Sequence, residues 1–501
     1  MDIDQAFDRI GHLGPGQSLQ MAILSGTVAF NSWIVCLPVF TQFEIETPEP
    51  QNYLNQTLPV NSTQTVNLKT NPIPISSDFN MNTFQLHLVT SLFMAGVMFG
   101  NPIFGYLSDK YGRRKILLNM LLLTSVCTIG SAIFSVGWKS YLFWRILVGA
   151  GRSAIHNSLM ALVYEFVGNS YYARLEFIAC VSWSFGIVVL SWLAEFYRYW
   201  RHLSIVTALP GFVLFYLVKQ SPESPRWLYT NNRITEAENI LKNIGRGNGK
   251  SESELELVLE PVVTNEDNVR NEGFMRMIKS GVVMKRVGSM MVVFFTGSLV
   301  YFGITFGTQQ LGGSVYTNLQ LSALSEIPGG FIGFIIMQTP FMGRKRTLML
   351  FLMLVGFGSY LLDVYHLNGD SKRTIAFLSK TLIEGTWAVN NPYSIELFPT
   401  SVRSVALGML NFSSQLSGVL APFLQDFGKV LIDPDDPDAP FVFYAIVALL
   451  SCVMVGAMLP ETLNAKTHDT ISSLETDKGA RKTRSRTGSR AGYKRLATDE
   501  L

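Results

Sequence analysis

Twelve runs of predominantly apolar residues recur along the chain, near 19-41, 84-107, 116-136, 141-166, 175-196, 202-219, 288-307, 317-339, 347-366, 374-395, 404-431 and 441-460. Each approaches the ~20 apolar residues that a helix needs to cross a bilayer, so the pattern predicts an all-α membrane protein with twelve transmembrane helices. Polar residues interrupt the fifth, tenth and eleventh runs. Most breaks between runs are short, but three hydrophilic segments are long: 42-83, 220-287 and 461-501. Segment 220-287 splits the runs six and six, giving a first bundle over 19-219 and a second over 288-460. Residues 1-18 are polar and contain Gly14, Pro15 and Gly16, so the first span reads as an uncleaved anchor with no signal peptide before it.

Lys and Arg in the short connections orient the spans. Lys110, Arg113, Arg114 and Lys115 follow span 2, and Arg344, Lys345 and Arg346 follow span 8, so both loops are expected in the cytoplasm. Segment 42-83 holds Glu44, Glu46, Glu49 and Asp78 against Lys69, and segment 432-440 holds Asp433, Asp435, Asp436 and Asp438 without a base; both are expected outside. The glycosylation sequons at Asn55 and Asn61 agree, since only a lumenal or external loop is modified there. An even span count then puts both termini in the cytoplasm. Segment 220-287 mixes acidic and basic residues as short amphipathic surface helices do. The tail from Glu461 ends in a basic run from Arg481 to Arg495, interleaved with Ser and Thr. That run reads as disorder, with contact to anionic inner-leaflet lipid, released by phosphorylation, as the sharper hypothesis.

Composition supports a chain solvated by membrane lipid. Only 15% of the 501 residues are charged, against about 25% in soluble proteins, while 48% are apolar and 12% aromatic. Cys36, Cys127, Cys180 and Cys452 all lie in apolar runs, with neither a disulfide framework nor zinc spacing. Basic residues are scattered through loops and tail, which speaks against nucleic-acid binding. No G-x-x-x-x-G-K-[ST] loop, G-x-S-x-G elbow or His/Cys ligand cluster occurs, so neither an ATP-driven pump nor an enzyme is expected, and no cofactor or metal.

The sharpest motif runs from Gly105 through Asp109, Lys110 and Gly112 to Arg113 and Arg114, between spans 2 and 3. Here Asp109 is expected to sit against a helix N-terminus as a separable latch, with the arginines fixing the inner edge by charge. A reduced copy, Gly343-Arg344-Lys345, follows span 8, which marks an internal repeat of six spans. Pro340 stands where the second aspartate would be, so the second latch is expected to be weaker or absent.

The pattern resembles the loop signature of the major facilitator superfamily, and other segments narrow the resemblance to its organic cation, anion and carnitine transporter family. They are Phe7 to Gly11 with Gly14 to Gln17, Ser221 to Leu228 with Arg233 and Glu236, Ser325 to Pro328, Glu396 to Arg403, and Leu459 to Thr462. The resemblance implies two pseudo-symmetric six-helix bundles that carry small organic ions across the plasma membrane by alternating access. It also implies that Arg145, with Gly149 and Gly151, matches the superfamily's arginine motif in span 4, for which a gating role in transport and a helix anchor near the external interface are weighed equally. The large external loop departs from the family in lacking its usual cysteines.

Charges inside spans are rare and usually mark a pathway or a paired site. Glu165, at the inner end of span 4, is expected to pair with Arg174 or with the Glu223 to Arg226 segment, and Glu396 with Arg403 in the second half; for these, gating is preferred over substrate contact. Glu326 is the favoured substrate-facing charge, because Pro328, Gly329, Gly330 and Gly333 follow it and are expected to interrupt the helix. Lys380 and Glu384, four apart, are expected to neutralise each other. Gln415 and Gly330 occupy places where relatives resembling this chain carry the charge that marks cation or anion carriers. With Glu326 unpaired, cations or zwitterions are favoured. Trp33, Phe40, Trp183, Phe185, Trp192, Tyr301, Phe306, Trp387 and Tyr393 are cavity-lining candidates, with Trp183, Tyr301, Trp387 and Tyr393 placed at the substrate. The alternatives are a sugar-porter-like carrier and a non-transporting receptor or vesicle glycoprotein.

Overall fold

A computed structural model of the chain describes residues 3-42, 74-168, 171-259, 277-364, 369-399, 402-431, 439-463 and 474. The sequons at Asn55 and Asn61, the acidic segment after residue 432 and the basic run of the tail lie outside the described residues.

All the regular structure among the described residues is helical. Twelve helices have 20 residues or more: α2 (Pro15–Cys36), α5 (Thr83–Tyr111), α6 (Arg113–Ile133), α7 (Trp138–Glu165), α8 (Tyr172–Phe196), α9 (Trp200–Gln220), α12 (Gly281–Phe306), α13 (Val315–Ile336), α14 (Gly343–Val364), α15 (Gly369–Leu397), α16 (Arg403–Leu431) and α17 (Ala439–Met458). Each coincides with one of the apolar runs. Ten are long and apolar enough to cross a membrane; α15 and α16, two of the runs that polar residues interrupt, fall short on that measure.

Short helices fill the connections: α1 (Ile3–Ile10), α3 (Pro38–Thr41), α4 (Ile75–Phe79), α10 (Pro225–Thr230) and α11 (Ile234–Gly247). Local chemistry sets their starts. Asn82 accepts the Gln85 backbone N–H while Gln85 accepts the Asn82 N–H, a reciprocal cap that opens α5. Ser224 accepts from the Trp227 N–H with Pro225 in the first turn, which starts α10. Helices α10 and α11 fulfil the expectation of amphipathic pieces after the sixth run.

Helix α1 was not expected in a segment read as polar. Its apolar residues fall on one face, and Ile3, Ala6, Phe7 and Ile10 are buried. Arg226 pairs with Asp4 at 2.6 Å and covers the Phe7 ring, and Asn248 donates to the Ile10 carbonyl and accepts from the Gly16 N–H. The first residues are thereby pinned to the segment that follows α9.

Packing is dense among α2 and α5 to α9, and again among α12 to α17. Two seams join these sets, α8 against α13 and α5 against α16. Helix α13 is unbroken across Pro328, contrary to the expected interruption. Its glycines serve packing instead: a Cβ on Gly329 would strike the Thr381 carbonyl, and one on Gly333 the Gly385 backbone. They bring α13 onto α15 at backbone distance. Beside the start of α9, Asp78 of α4 accepts from Tyr199 and Trp200 and pairs with Arg201 at 3.3 Å. Burial raises its carboxyl, but those hydrogen bonds and the guanidinium outweigh that and hold it below the usual carboxylate range.

Candidate functional site

The centre of the α8 seam is polar. Glu326 on α13 and Lys380 on α15 are fully buried and form an ion pair at 3.0 Å. Ser184 on α8 donates to the other Glu326 oxygen at 3.1 Å. Lys380 donates to Thr305 at 2.7 Å, and its Nζ lies 4.4 Å from the centre of the Tyr301 ring. Trp183 donates its indole N–H to the Tyr301 hydroxyl at 2.9 Å. Two expectations are corrected here. Glu326 has a partner, and that partner is the lysine that had been assigned to Glu384. Buried charges of opposite sign are stable only when paired and hydrogen-bonded, and this pair carries hydrogen bonds from both neighbouring helices.

Glu384 is half-buried and faces the Cys180 thiol on α8. One helical turn further, Glu176 on α8 accepts from the Asn391 amide of α15 at 2.8 Å and from the Tyr164 hydroxyl. Glu176, Cys180 and Ser184 stand four residues apart and so share one face of α8. They meet Asn391, Glu384 and Glu326 in antiparallel order. This polar ladder across the seam was missed apart from Glu326 and Glu384; its signal was the four-residue spacing on α8. Arg152 of α7, also missed, is buried with no hydrogen-bond partner for its Nε. Asn31 of α2 is buried 3.5 Å from His156. Gln415 of α16 and Asn390 of α15 likewise hold buried amide atoms without a protein partner. Such atoms call for water or a ligand polar group.

Of the aromatic candidates, Trp183 and Tyr301 join this centre. Trp387 packs edge-on against Phe294, and a Cβ on Gly297 would meet its indole. Tyr393 is removed from the centre: it is fully buried and donates to the Pro460 carbonyl, as a fastening for the chain after α17. Trp192 and Phe185 are 58% and 60% exposed, which places them on the outer surface of the helices. Trp33 donates to the Gly186 carbonyl, Phe40 stacks on Tyr316, and Phe306 on Phe302.

The span ends expected to face the cytoplasm, called here the inner ends, carry a repeated cluster. In the first copy Arg113 pairs with Asp109 and, at 3.2 Å, with Glu165, while Glu223 accepts the Arg114 N–H at the start of α6. In the second, Arg344 pairs with Glu396 at 2.9 Å, and Glu461 accepts the Arg344 and Lys345 N–H groups at the start of α14. Thr462 donates to Glu396. Gly112 and Gly343 have φ of 110° and 64°, and a Cβ on either would strike the capping glutamate. Several assignments change. The carboxylate at the helix N-terminus is Glu223, not Asp109, whose side chain is 60% exposed. The second copy has its own capping carboxylate despite Pro340. Glu165 takes Arg113 and a hydrogen bond from Ser224, which keeps the expected link to the Glu223 to Arg226 segment, while Arg174 lies over the Tyr171 ring. Arg226 binds Asp4 instead. Arg403 reaches the Phe398 carbonyl and leaves Glu396 to Arg344. Arg145 is buried beneath the Phe93 ring at 4.5 Å, inside the helix packing and away from both clusters.

A family model described as the Major Facilitator Superfamily matches residues 62–422. The chain belongs to the major facilitator superfamily. It is therefore a multi-pass membrane protein of a class of small-molecule transporters that work by alternating access, with no catalytic chemistry. It is homologous to organic cation and anion carriers of the solute carrier 22 type. "Solute carrier family 22 member 15-like" of Xenopus tropicalis is 28% identical over 486 residues, covering 95% of this chain and 96% of that protein. "Organic cation/carnitine transporter 4" of Arabidopsis thaliana is 30% identical, covering 78% and 74%. "Organic anion transporter 3" of Homo sapiens is 28% identical, covering 77% and 71%. Among solved structures, the inward-open xylose transporter XylE from E. coli superposes with a TM-score of 0.64 over 91% of this chain and 98% of that one, at 16% identity. That likeness speaks to the major facilitator fold alone.

Proposed function

We propose that this major facilitator protein carries small organic ions across the plasma membrane, with a preference for zwitterions or cations. In this reading twelve spans form two six-helix bundles that rock about the α8 seam, and both termini face the cytoplasm. The observation that carries the proposal is the mixed-charge centre, where Lys380, Glu326 and Glu384 of the second helix set lie together and Arg152 of the first lies within electrostatic reach of Tyr301. Lys380 already neutralises Glu326. That leaves the Glu384 carboxylate for an ammonium and Arg152 for an acid group, so a substrate bearing both charges satisfies both. Trp183 and Tyr301 offer ring faces to the cationic end, and Gln415 a neutral polar contact. The repeated inner clusters, Arg113 with Glu165 and Glu223, and Arg344 with Glu396 and Glu461, act as the gate. The ladder from Glu176 to Ser184 breaks and reforms as the bundles move.

Relatives named for organic cations, organic anions and carnitine support organic ions as the substrate class, and nothing at the centre favours an uncharged hexose. No coupling ion is needed for a monovalent cation, since the membrane potential supplies about 2.3 kcal/mol per 100 mV. The test is an uptake panel of one organic cation, one anion, one zwitterion and one hexose in proteoliposomes. Zwitterion or cation uptake is expected. Glu384→Gln should reduce it about tenfold while sparing any anion uptake, the loss of one charge-assisted contact. Hexose accumulation, or cation uptake indifferent to Glu384→Gln, overturns the assignment.

A further inference from the structure

Away from the transport path, two cavities lie one after the other along α14 and α17, forming a groove on the outer surface of the second helix set. At its inner end lies a cavity of about 560 Å³ lined by Phe341, Lys345, Arg346, Met349, Gly456 and Leu463, among others. Further along the same two helices lies a second cavity of about 310 Å³, lined only by Met353, Leu354, Phe357, Tyr360 and Leu449. From Lys345 to Tyr360 the residues lining the two cavities span roughly 22 Å of α14 at 1.5 Å per residue, the reach of one leaflet of a hydrocarbon core about 30 Å thick. Its floor is kept low by two glycines. A Cβ on Gly356 would press on Leu449, and one on Gly456 on the end of Met349.

The two ends differ in chemistry. At the inner end Lys345 donates one N–H to the Gly456 carbonyl, and Arg346 donates to the Phe341 carbonyl while its guanidinium lies 5.5 Å from the Phe341 ring. An ammonium has three donors and a guanidinium five, so both retain donors for an anion. Glu461, the acidic residue of the cavity, is committed to the Arg344 and Lys345 N–H groups. Phe341 is 77% exposed and stands at the rim. In the first repeat Arg114, the counterpart of Lys345, spans both the Val218 and Lys219 carbonyls.

We propose that this groove is a binding site for an anionic phospholipid, its phosphate held by Lys345 and Arg346 and one acyl chain lying along Met353, Phe357 and Leu449. Cation, exposed ring and apolar trough follow one another in the order of headgroup, interface and chain.

Native mass spectrometry of the purified full-length chain tests the assignment, with phosphatidylglycerol and phosphatidylcholine of identical chains as probes. Retention of phosphatidylglycerol over phosphatidylcholine is expected, and Arg346→Gln should shrink that preference about fivefold, the effect of one basic residue near an anionic headgroup. Met353→Trp, which fills the trough, should weaken both lipids alike. Arg346→Gln removes no ion pair of the inner cluster, and thermal unfolding in neutral detergent verifies that both variants fold. Equal retention of the two lipids, or a preference unchanged in folded Arg346→Gln, overturns the proposal. So does equal binding of glycerol 3-phosphate without chains, which would make the site one for free phosphate.

Discussion

The inner ends of the helices and the centre of the molecule are both charged, yet they are built on different principles. At the inner ends one arrangement occurs twice: a left-handed glycine, an arginine paired to a carboxylate on the neighbouring span, and a glutamate from beyond the sixth helix of the set. The centre is not repeated. The first helix set supplies Arg152, Asn31, Cys180 and Ser184, and the second supplies Glu326, Glu384 and Lys380. Repetition suits the gating role proposed for these clusters, which both halves would perform together at the same end. An unrepeated site suits an object without two-fold symmetry, such as a small ion with distinct ends.

The largest expected effect tests the centre. Lys380→Met leaves Glu326 buried and unpaired, and should lower stability by about 3–5 kcal/mol, measured by thermal unfolding in detergent. Adding Glu326→Leu should restore most of that stability without restoring uptake. A double variant that transports normally would make the pair mere scaffold, like the inner ends. Next, Arg113→Ala and Arg344→Ala should each lose about 1.5–3 kcal/mol, and by similar amounts, because each removes charge-assisted hydrogen bonds from a largely buried carboxylate. Clearly unequal losses would break the equivalence of the two clusters. Gly112→Ala should lose about 1–3 kcal/mol through backbone strain, more than Gly343→Ala, since its φ of 110° with ψ of 146° lies further from any conformation open to alanine. Unfolding midpoints of the two variants check the order.

Smaller still is Asp109→Asn. An exposed pair contributes about 0.2–1 kcal/mol, so this variant should unfold almost as the parent does, whereas Glu223→Gln should not. If the aspartate proves the more sensitive, the cap has been misassigned. The smallest effect belongs to the contact beside the start of α9. Asp78 titrates below the usual carboxylate range, so its contribution is complete above that range and is lost only as pH falls through the lowered value. Protease cleavage near residue 78 should therefore not change between about pH 7 and pH 5.

Ten of the twelve long helices were legible because a span announces itself by length and hydropathy within one stretch of sequence, whereas α15 and α16 fall short on that measure. The inner arginines were legible for a similar reason: a charge at the end of an apolar run has few places to go. Pairings were not. Lys380 lies one turn from Glu384 in sequence, but α13 packs so closely on α15 that Glu326 reaches it first, and only the glycine contacts at Thr381 and Gly385 reveal this. Those same glycines were read as helix breakers because Pro328 stands beside them. Asp109 was preferred as the cap through its nearness to α6, whereas the chain returns to that point more than a hundred residues later with Glu223. Tyr393 and Trp192 show the limit of residue type: one fastens the end of a helix and the other faces outward, which no local pattern distinguishes.

The seating of α1 has a consequence for the order of assembly. Asp4 is made 222 residues before Arg226, so at 5–20 residues per second roughly 10 to 45 seconds pass before the helix meets its partner. Asn248 follows later still. The clasp therefore closes only after all helices of the first set have been made.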